Sequence, residues 1–245
     1  RFSDPARALA HAETLLAEGA DILDVGGEST RPGAVPVAAQ AETSRVVPLI
    51  AALHERRPEL LLSVDTCKPE VAAAAMTAGA LIVNDVTGGG HPEMLPLVAE
   101  RGAAIILMHM RGTPGTMQDD TSYSDVVAEV AAYLRERAGA ARAAGVAAER
   151  IWLDPGIGFG KDTEGNLRLL AHLEDLAALG HPVVVGASRK SYIGRLSVAD
   201  VGGRLPGSLA SLVPLARLPR AVARVHDVAA TSQFLTVLRA IEEAP

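Results

Sequence analysis

The sequence predicts an α/β fold, a TIM or (β/α)8 barrel, and three observations lead to this prediction. A unit of helix, glycine, apolar run and polar loop recurs along the chain. The apolar runs are continuous, which is typical of parallel strands whose two faces are both covered. A polar residue ends almost every run, as expected where strands open onto the mouth of a barrel. The alternative is a doubly wound open sheet, which would concentrate its ligand groups at one switch point.

The composition suits one packed domain over residues 1–245, with few aromatic residues and a core of Ala, Val, Leu and Ile. The net charge is −6, and the Lys and Arg residues are not clustered as a nucleic-acid surface requires. The single cysteine, Cys67, excludes an intrachain disulfide and favours a cytoplasmic protein. No apolar run is long enough to span a membrane.

The predicted elements follow from capping residues, apolar periodicity and glycine stops. Asp4 and Pro5 begin the first helix, because aspartate caps a helix and proline suits its first position, and Gly19 ends it. Periodic apolar residues predict helices at 38–55, 69–77, 92–100, 123–144, 166–179 and 231–242, with helical segments at 190–195 and 207–215. Strands are predicted at 20–25, 60–64, 81–83, 103–107, 151–153, 182–185 and 221–225.

These predicted elements amount to seven strands and, with the two segments after residue 190 taken together, eight helices. A barrel of this type has eight strands and begins with a strand, whereas this chain begins with a helix. We therefore expect the first strand to lie upstream of Arg1 and to be absent from this chain.

One glycine-rich stretch, DPGIGFGK at residues 154–161, follows the short apolar run at 151–153. Its three glycines allow a tight turn, because glycine adopts positive φ without a steric cost. The stretch thus holds an acid, Asp154, an aromatic ring, Phe159, and a base, Lys161, on one loop. An ordinary turn with a charged tip is the simpler interpretation of this stretch when it is taken alone.

In a barrel, residues at the carboxyl ends of the strands share one face. That face would carry the following residues: Asp24, Thr30, Arg31, Asp65, Asn84, Asp85, Met108, His109, Asp154, Ser188, Arg189, Lys190, Arg224, His226 and Asp227. Carboxylates bind groups rich in N–H donors, and guanidinium groups suit phosphate oxygens. The face therefore predicts a site for a heterocycle with donor groups that is joined to a phosphate ester or anhydride.

Seven short segments in order carry a resemblance to a known family. They are GESTRPG at 27–33, SVDT at 63–66, VNDV at 83–86, LMHM at 107–110, DPGIGFGK at 154–161, SRKS at 188–191 and RVHDVAAT at 224–231. In this order the chain resembles the dihydropteroate synthase family of pterin-binding TIM barrels. The resemblance implies a transferase of folate biosynthesis that joins 6-hydroxymethyl-7,8-dihydropterin pyrophosphate to 4-aminobenzoate and releases pyrophosphate. It also implies Mg²⁺, a homodimer and a target of sulfonamides.

The resemblance assigns roles to particular residues. The catalytic residues it implies are Asp65, Lys190, Arg224 and His226. The substrate-binding residues it implies are Thr30, Arg31, Asp65, Asn84, Met108, Asp154, Phe159, Gly186, Lys190, Ser191, Arg224 and His226. Among these, Asp154 would hold the ring N–H and amino group of the pterin. Arg224 and His226 would clamp the pyrophosphate, and Phe159 and Ser191 would line the 4-aminobenzoate pocket.

One segment of the family is not found in this chain. The family carries an Asn-Val-Thr-Pro-Asp-Ser-Phe-Ser-Asp type of segment on its first strand, and the asparagine of that segment contacts the metal. This chain begins after it, so no metal ligand is expected among residues 1–245. Either the segment was not included or the protein lacks it.

Several polar residues have a simpler structural interpretation. We expect Asp24, Asp85 and Asp227 to support the loops rather than to touch substrate, and His109 to be a packing residue. Cys67 is expected to be structural. The glycines at 88–90 could cradle a phosphate, but a plain loop is an equally good interpretation.

Two other functions compete with the synthase. One is a pterin-dependent methyltransferase, which would not need SRKS at 188–191 or RVH at 224–226. The other is a pterin-binding paralogue without catalysis. A decayed site would be expected in such a protein, whereas this chain keeps Arg31, Lys190, Arg224 and His226. An assay of pyrophosphate release separates the three.

Overall fold

The computed structural model describes residues 4–31 and 33–244. Within them, seven strands form one sheet in which each strand pairs in parallel with the next strand along the chain. The strands are β1 (Ile22–Gly26), β2 (Leu61–Asp65), β3 (Ile82–Asp85), β4 (Ala104–Met108), β5 (Ile151–Asp154), β6 (Val183–Val185) and β7 (Ala221–Ala223). The strand order never reverses, so no switch point of a doubly wound sheet exists in the described residues.

Helices connect the strands and cover the outside of the sheet. The described residues form α1 (Pro5–Ala17), α2 (Ala39–Arg56), α3 (Pro69–Thr77), α4 (Met94–Arg101), α5 (Val126–Ala143), α6 (Thr163–Ala171), α7 (Leu173–Ala177), α8 (Ser191–Ser197), α9 (Leu205–Ala210), α10 (Val213–Ala216) and α11 (Val228–Glu242). Short 3₁₀ turns lie at Ala148–Arg150 and Gly202–Arg204. None of these helices has the length and hydropathy needed to cross a membrane.

Most predicted elements are confirmed to within a few residues, and the exceptions have local causes. The helix predicted at 166–179 begins earlier, because the side chain of Asp162 accepts a hydrogen bond from Gly165 N at 2.7 Å. It also breaks at His172, whose backbone leaves the helical region (φ −119°, ψ 32°), so α6 and α7 are separate. The segment predicted at 207–215 is likewise divided, because Pro214 starts a new helix, α10, at its first turn.

The sheet has two chemically different faces, since successive side chains of a strand point to opposite sides. Residues on the outer face pack with the helices into the main hydrophobic core. The inner face carries a second, smaller cluster: Ile22, Ile82, Ala104, Ile106, Trp152, Val184 and Val222. Two residues further along these six strands, the inner face reaches the mouth of the sheet, at Asp24, Asn84, Met108, Asp154, Gly186 and Arg224. Strand alternation therefore directs the predicted site residues to one point.

The sheet curls back on itself. The guanidinium of Arg224, just after β7, lies 2.6 Å from a carboxylate oxygen of Asp24 in β1. On the outside, α11 packs against the turn between α1 and β1. Ser232 of α11 is so near to Gly19 in this turn that a Cβ added at Gly19 would lie 3.3 Å from the Oγ of Ser232. Seven parallel strands that curl in chain order toward closure confirm the predicted fold class, a TIM-type barrel lacking one strand. In the described residues β7 and β1 do not pair.

Candidate active site

A small concave pocket opens at the carboxyl ends of the strands. Its walls are formed by Thr30, Asn84, Val86, Met108, Asp154, Ile157, Phe159, Gly186, Lys190 and Arg224. Eight of these ten are residues for which a substrate role was expected, and Val86 and Ile157 are apolar additions that the sequence motifs did not single out. Acidic, basic and apolar side chains thus share one concave surface, which is the usual form of a small-molecule site.

Four of the residues with an expected role do not line this cavity. Asp65 lies behind Arg224, and its Oδ2 accepts from Nη2 of Arg224 at 2.7 Å. Arg31 and Ser191 are exposed, the latter as the first residue of α8. His226 is exposed on the loop after β7, with its Nδ1 3.0 Å from Oγ of Ser188. The roles that the resemblance gives these four remain predictions.

Arg224 is the centre of a polar network that joins three strands. Its Nε donates to Oδ2 of Asp24, and Nδ2 of Asn84 donates to the same oxygen at 3.1 Å. Asp24 is the main cause that raises the pKa of Arg224, so the guanidinium stays charged. Burial raises the pKa of Asp65 to about 7, while the charge of Arg224 opposes that rise. Asp24 thus holds Arg224 and Asn84 in place, in line with the supporting role expected for it.

Asp154 presents a buried carboxylate to the cavity at the end of β5. Its Oδ1 accepts a hydrogen bond from Gly156 N at 2.7 Å, which fixes the side chain against its own loop. Burial raises the pKa of Asp154, and the bond from Gly156 and the charge of Lys190 oppose this. A carboxylate held in this way can accept two parallel hydrogen bonds from a ligand.

Lys190 lies between that acid and an aromatic ring. Its Nζ is 4.2 Å from the ring centroid of Phe159, within the range of a cation–π contact. Burial lowers the pKa of Lys190 to about 8, with the charge of Asp154 opposing the change. A side chain at Gly158 would approach Cδ of Lys190 to 3.0 Å, so the glycine leaves room for the lysine stem.

Lys161, whose role the sequence left open, braces the glycine loop from behind. It is almost fully buried and donates from Nζ to the carbonyl oxygens of His109, Gly156 and Phe159 at 3.3, 3.0 and 2.8 Å. Burial lowers the pKa of Lys161 to about 7, with Asp154 opposing. Its Nζ also lies 3.0 Å from Nδ1 of His109. Burial, followed by the charge of Lys161, lowers the pKa of His109 to about 3, which makes the ring a neutral packing group.

The glycine loop at 88–90 is held by bonds within the protein. Asp85, on the outer face of β3, accepts from Thr87 N and Gly89 N at 2.8 and 3.1 Å. Arg137 donates to the carbonyl oxygens of Gly88 and Gly89, each at 2.6 Å. These bonds favour the plain-loop interpretation over a phosphate cradle.

The loops after β6 and β7 are joined to each other. Arg189 and Asp227 form a two-bond ion pair, in which Nε donates to Oδ2 at 2.9 Å. The backbone N–H of Arg189 also donates to Oγ of Ser208 at 2.9 Å, a contact that no sequence motif indicated.

At the β2 loop, burial raises the pKa of the Cys67 thiol to about 11, which agrees with the structural role expected for it.

The structure also allows a test of the implied Mg²⁺. Across residues 4–31 and 33–244, no three His, Cys, Asp or Glu side chains are grouped so that they could hold a metal ion. Magnesium prefers oxygen ligands, but Asp24 and Asp65 at the mouth are both bonded to Arg224, whose charge opposes a cation there. The described residues therefore do not form a magnesium site by themselves.

Comparison with known proteins decides the family. The profile of the family described as "Pterin binding enzyme" matches residues 1–226. The dihydropteroate synthase of Escherichia coli (strain K12) is 44% identical over 233 residues, which span 95% of this chain and 82% of that protein. The chain belongs to the dihydropteroate synthase family.

Solved structures agree with this assignment to the dihydropteroate synthases. The Xanthomonas albilineans enzyme with 4-aminobenzoic acid has a TM-score of 0.92 and 47% identity, covering 98% of this chain and 86% of that one. The Yersinia pestis enzyme with a sulfonamide drug complex has a TM-score of 0.95 and 39% identity, covering 99% and 88%. The predicted family is confirmed, and with it the predicted transferase that makes 7,8-dihydropteroate from the pterin pyrophosphate and 4-aminobenzoate.

Proposed function

We propose that the residues around the cavity divide the two substrates of dihydropteroate synthesis between them. Asp154 and Asn84 bind the donor edge of the pterin, and Met108 packs against its ring. Lys190 contacts the pterin with its ammonium and the 4-aminobenzoate pocket with its stem. Phe159 and Ser191 form the wall of that second pocket. The observation that carries this proposal is the convergence of Asp154, Asn84, Lys190 and Arg224 on one cavity.

The pyrophosphate is assigned to the end of β7. Arg224 carries five N–H donors, of which two are used by Asp24 and Asp65, so three are left for phosphate oxygens. His226 follows two residues later and adds a ring nitrogen at the rim. This division lets one guanidinium hold the barrel mouth in shape and also bind the leaving group.

The reaction we propose begins with cleavage of the C–O bond between the pterin methylene and pyrophosphate. The electron pair leaves with the pyrophosphate, and Arg224 and His226 stabilise the departing anion. The positive charge left on the pterin is delocalised into its ring and stabilised by the carboxylate of Asp65. The neutral amine of 4-aminobenzoate then attacks the methylene carbon, and the proton that it loses passes to an oxygen of the released pyrophosphate. Thr30 and Arg31, on the loop after β1, exclude water from the cation.

Mg²⁺ enters this proposal only as an ion bound to the pyrophosphate oxygens of the substrate. The described residues offer no complete set of ligands for the ion, so no residue of this chain is assigned to hold it. We expect EDTA to lower turnover with the pterin pyrophosphate and to leave unchanged the binding of a pterin that lacks phosphate.

We also propose a cytoplasmic homodimer. The C-terminal helix, α11, exposes Val237 and Ile241, which are four residues apart and so share one helix face. This agrees with an interface built from C-terminal helices, as the family resemblance implies. Sedimentation velocity tests the proposal, with Ile241→Glu expected to shift a dimer toward monomer.

The deciding experiment follows pyrophosphate release and 7,8-dihydropteroate formation in the presence of both substrates. We expect the two products to form in equal amounts and neither to form when one substrate is omitted. A sulfonamide should compete with 4-aminobenzoate and not with the pterin. Pterin binding without turnover would instead indicate a non-catalytic binding protein, and methyl transfer from a methylated folate would indicate a methyltransferase.

A further inference from the structure

An acidic residue is buried in α2 where an apolar one is expected. Glu42 is 1% exposed and lies on the helix face that also carries Val46, Ile50 and Leu53, all fully buried. Its Oε1 has no hydrogen-bond partner among the described residues. Burial of a carboxylate is unfavourable unless the charge is paired and bonded, so packing alone does not account for this residue.

The partner of Glu42 is Lys68, the residue that immediately precedes α3. Nζ of Lys68 donates to Oε2 of Glu42 at 2.5 Å and also to a carboxylate oxygen of Glu28. Burial by itself lowers the pKa of Lys68, but the bonds to both acids raise it overall, so the ammonium stays charged. One lysine thus joins an acid of α2 to an acid of the loop between β1 and α2.

The backbone of that loop is fixed at the same place. The carbonyl oxygen of Gly27 accepts from Nη1 of Arg45 at 2.8 Å. A side chain at Gly27 would lie 2.8 Å from Cγ of Glu42 and 3.0 Å from its carbonyl oxygen, so loop and helix backbones are in direct contact there. Beyond Glu28 the loop makes two local bonds, from Arg31 N to Oγ of Ser29 and from Ala34 N to Arg31 O.

The ion pairs lie between two parts of the candidate site. Thr30, which lines the cavity, follows Glu28 by two residues and is followed by the exposed Arg31. On the other side, Lys68 N donates to Oγ1 of Thr66 at 3.2 Å, and Thr66 N donates to the carbonyl oxygen of Asn84 at 3.1 Å. Lys68 therefore connects the β1 loop to the strand ends that carry the site.

We propose that Glu42, Lys68 and Glu28 form an ionic clamp that positions Thr30 and Arg31 at the cavity for substrate binding. The three are positioning residues, since they act through the loop and not on substrate. The buried acid of α2 fixes the lysine, and the lysine fixes the loop at Glu28. This inference rests on the proposed function only in that Thr30 and Arg31 take part in binding.

The first test replaces Glu28 with glutamine, which keeps the shape of the side chain and removes its charge. We expect KM for the pterin pyrophosphate to rise about tenfold with kcat changed less than about twofold, because a charge-assisted contact that holds the loop is lost. Hydrogen exchange of residues 27–38 without substrate should become faster, while the unfolding temperature stays the same. Glu13→Gln, which breaks the exposed pair with Arg57, is the matched control and should change none of these.

The second test separates positioning from stability. In the double variant Glu42→Leu/Lys68→Met, leucine continues the apolar stripe and no charge remains in the core, while Glu28, whose side chain is 22% exposed, loses its partner. We expect an unfolding temperature at or above that of the wild type, together with the same faster exchange and raised KM as in Glu28→Gln. The proposed clamp would be overturned if the exchange rates and KM equalled those of the wild type. It would also be overturned if KM rose only in a variant that had lost stability. The exchange measurement needs no turnover, so it tests the clamp even if the wild type proves inactive.

Discussion

Arg224 donates from Nε to Oδ2 of Asp24 over 2.6 Å, and this bond joins the last strand of the sheet to the first. β7 and β1 do not pair with each other in the described residues, so the bond crosses an interval that no backbone ladder spans. A second bond from Nη2 of Arg224 reaches Asp65 in β2. The residue proposed to bind pyrophosphate is therefore also one that holds the mouth of the barrel in shape.

Arg224→Lys tests both functions of this residue. Lysine keeps the charge but cannot reproduce the fork that bonds to two carboxylates. Because the side chain of Arg224 is 44% exposed, its ion pairs are screened, and we expect a loss of only about 1 kcal/mol in the free energy of unfolding. The kcat/KM for the pterin pyrophosphate should fall about a hundredfold.

Urea unfolding and pyrophosphate release measure these two effects separately. Arg217→Lys is the control, because Arg217 pairs with Glu242 on the surface, with Nε 3.1 Å from the carboxylate. A kcat/KM for Arg224→Lys equal to that of the wild type would remove Arg224 from the pyrophosphate site.

Gly156→Ala tests how closely the loops after β4 and β5 approach each other. Gly156 has φ +67°, and an added Cβ would lie 1.9 Å from the carbonyl oxygen of His109, which is backbone and cannot swing away. We expect the free energy of unfolding to fall by about 3 kcal/mol or more, with the loss of pterin binding.

The matched control is Gly139→Ala in α5. A Cβ there meets nothing within 4 Å, so alanine should stabilise the helix by about 1 kcal/mol. Thermal unfolding of both variants checks the pair. If Gly156→Ala were as stable as the wild type, the close approach of the two loops would be wrong.

Local patterns predicted much of the fold and of the candidate site. Continuous apolar runs predicted the strands, and the polar residues that end them predicted the mouth, as Asp154 does after the run at 151–153. These features depend only on residues close in sequence, because strand alternation and capping are local. The helix break at His172 was missed, since no proline or glycine marks it.

The remaining features depend on contacts between distant residues. The bond of Arg224 to Asp24 joins positions 200 apart, and it could be foreseen only by knowing that the sheet curls closed. The role of Lys161 was left open by the sequence, because the three backbone carbonyls that hold it behind the loop come together only in the folded chain. No sequence motif singled out Glu42, because its partner Lys68 lies in another unit of the barrel.

Asp154→Asn tests the proposed pterin contact. Asparagine keeps an oxygen for the bond from Gly156 N, so the loop should hold its shape. It has no charge and presents one oxygen in place of two, so we expect a loss of about 2 kcal/mol in pterin binding, or roughly thirtyfold in Kd. Calorimetry with the pterin pyrophosphate measures this. Asp175→Asn, at an exposed acid of α7, should bind as the wild type does, and equal affinity of the Asp154 variant would contradict the assignment.

The charge of Lys190 should control the activity above neutral pH. Burial lowers the pKa of Lys190 to about 8; Asp154 and Asp65 oppose that change, and Arg224 and Arg31 add to it. We expect kcat/KM, which follows the free enzyme, to fall as pH rises through about 8, because the ammonium loses its proton. In Lys190→Arg the guanidinium does not titrate there, so this alkaline fall should disappear even if the overall activity is lower.

The same loss of a proton from Lys190 should lower activity but increase the contribution of this residue to stability. The pKa of Lys190 is lower in the folded chain than its ordinary value of 10.5, so between about 8 and 10.5 the unfolded chain binds more protons. The free energy of unfolding contributed by this residue therefore increases with pH across that window. Urea unfolding at pH 7.5 and at pH 10 should show a smaller increase, or a larger decrease, for Lys190→Arg than for the wild type. The wild type and Lys190→Arg could instead show the same fall of kcat/KM at alkaline pH and the same change in the free energy of unfolding between pH 7.5 and pH 10. That result would show that Lys190 keeps its proton throughout and that another group sets the pH dependence.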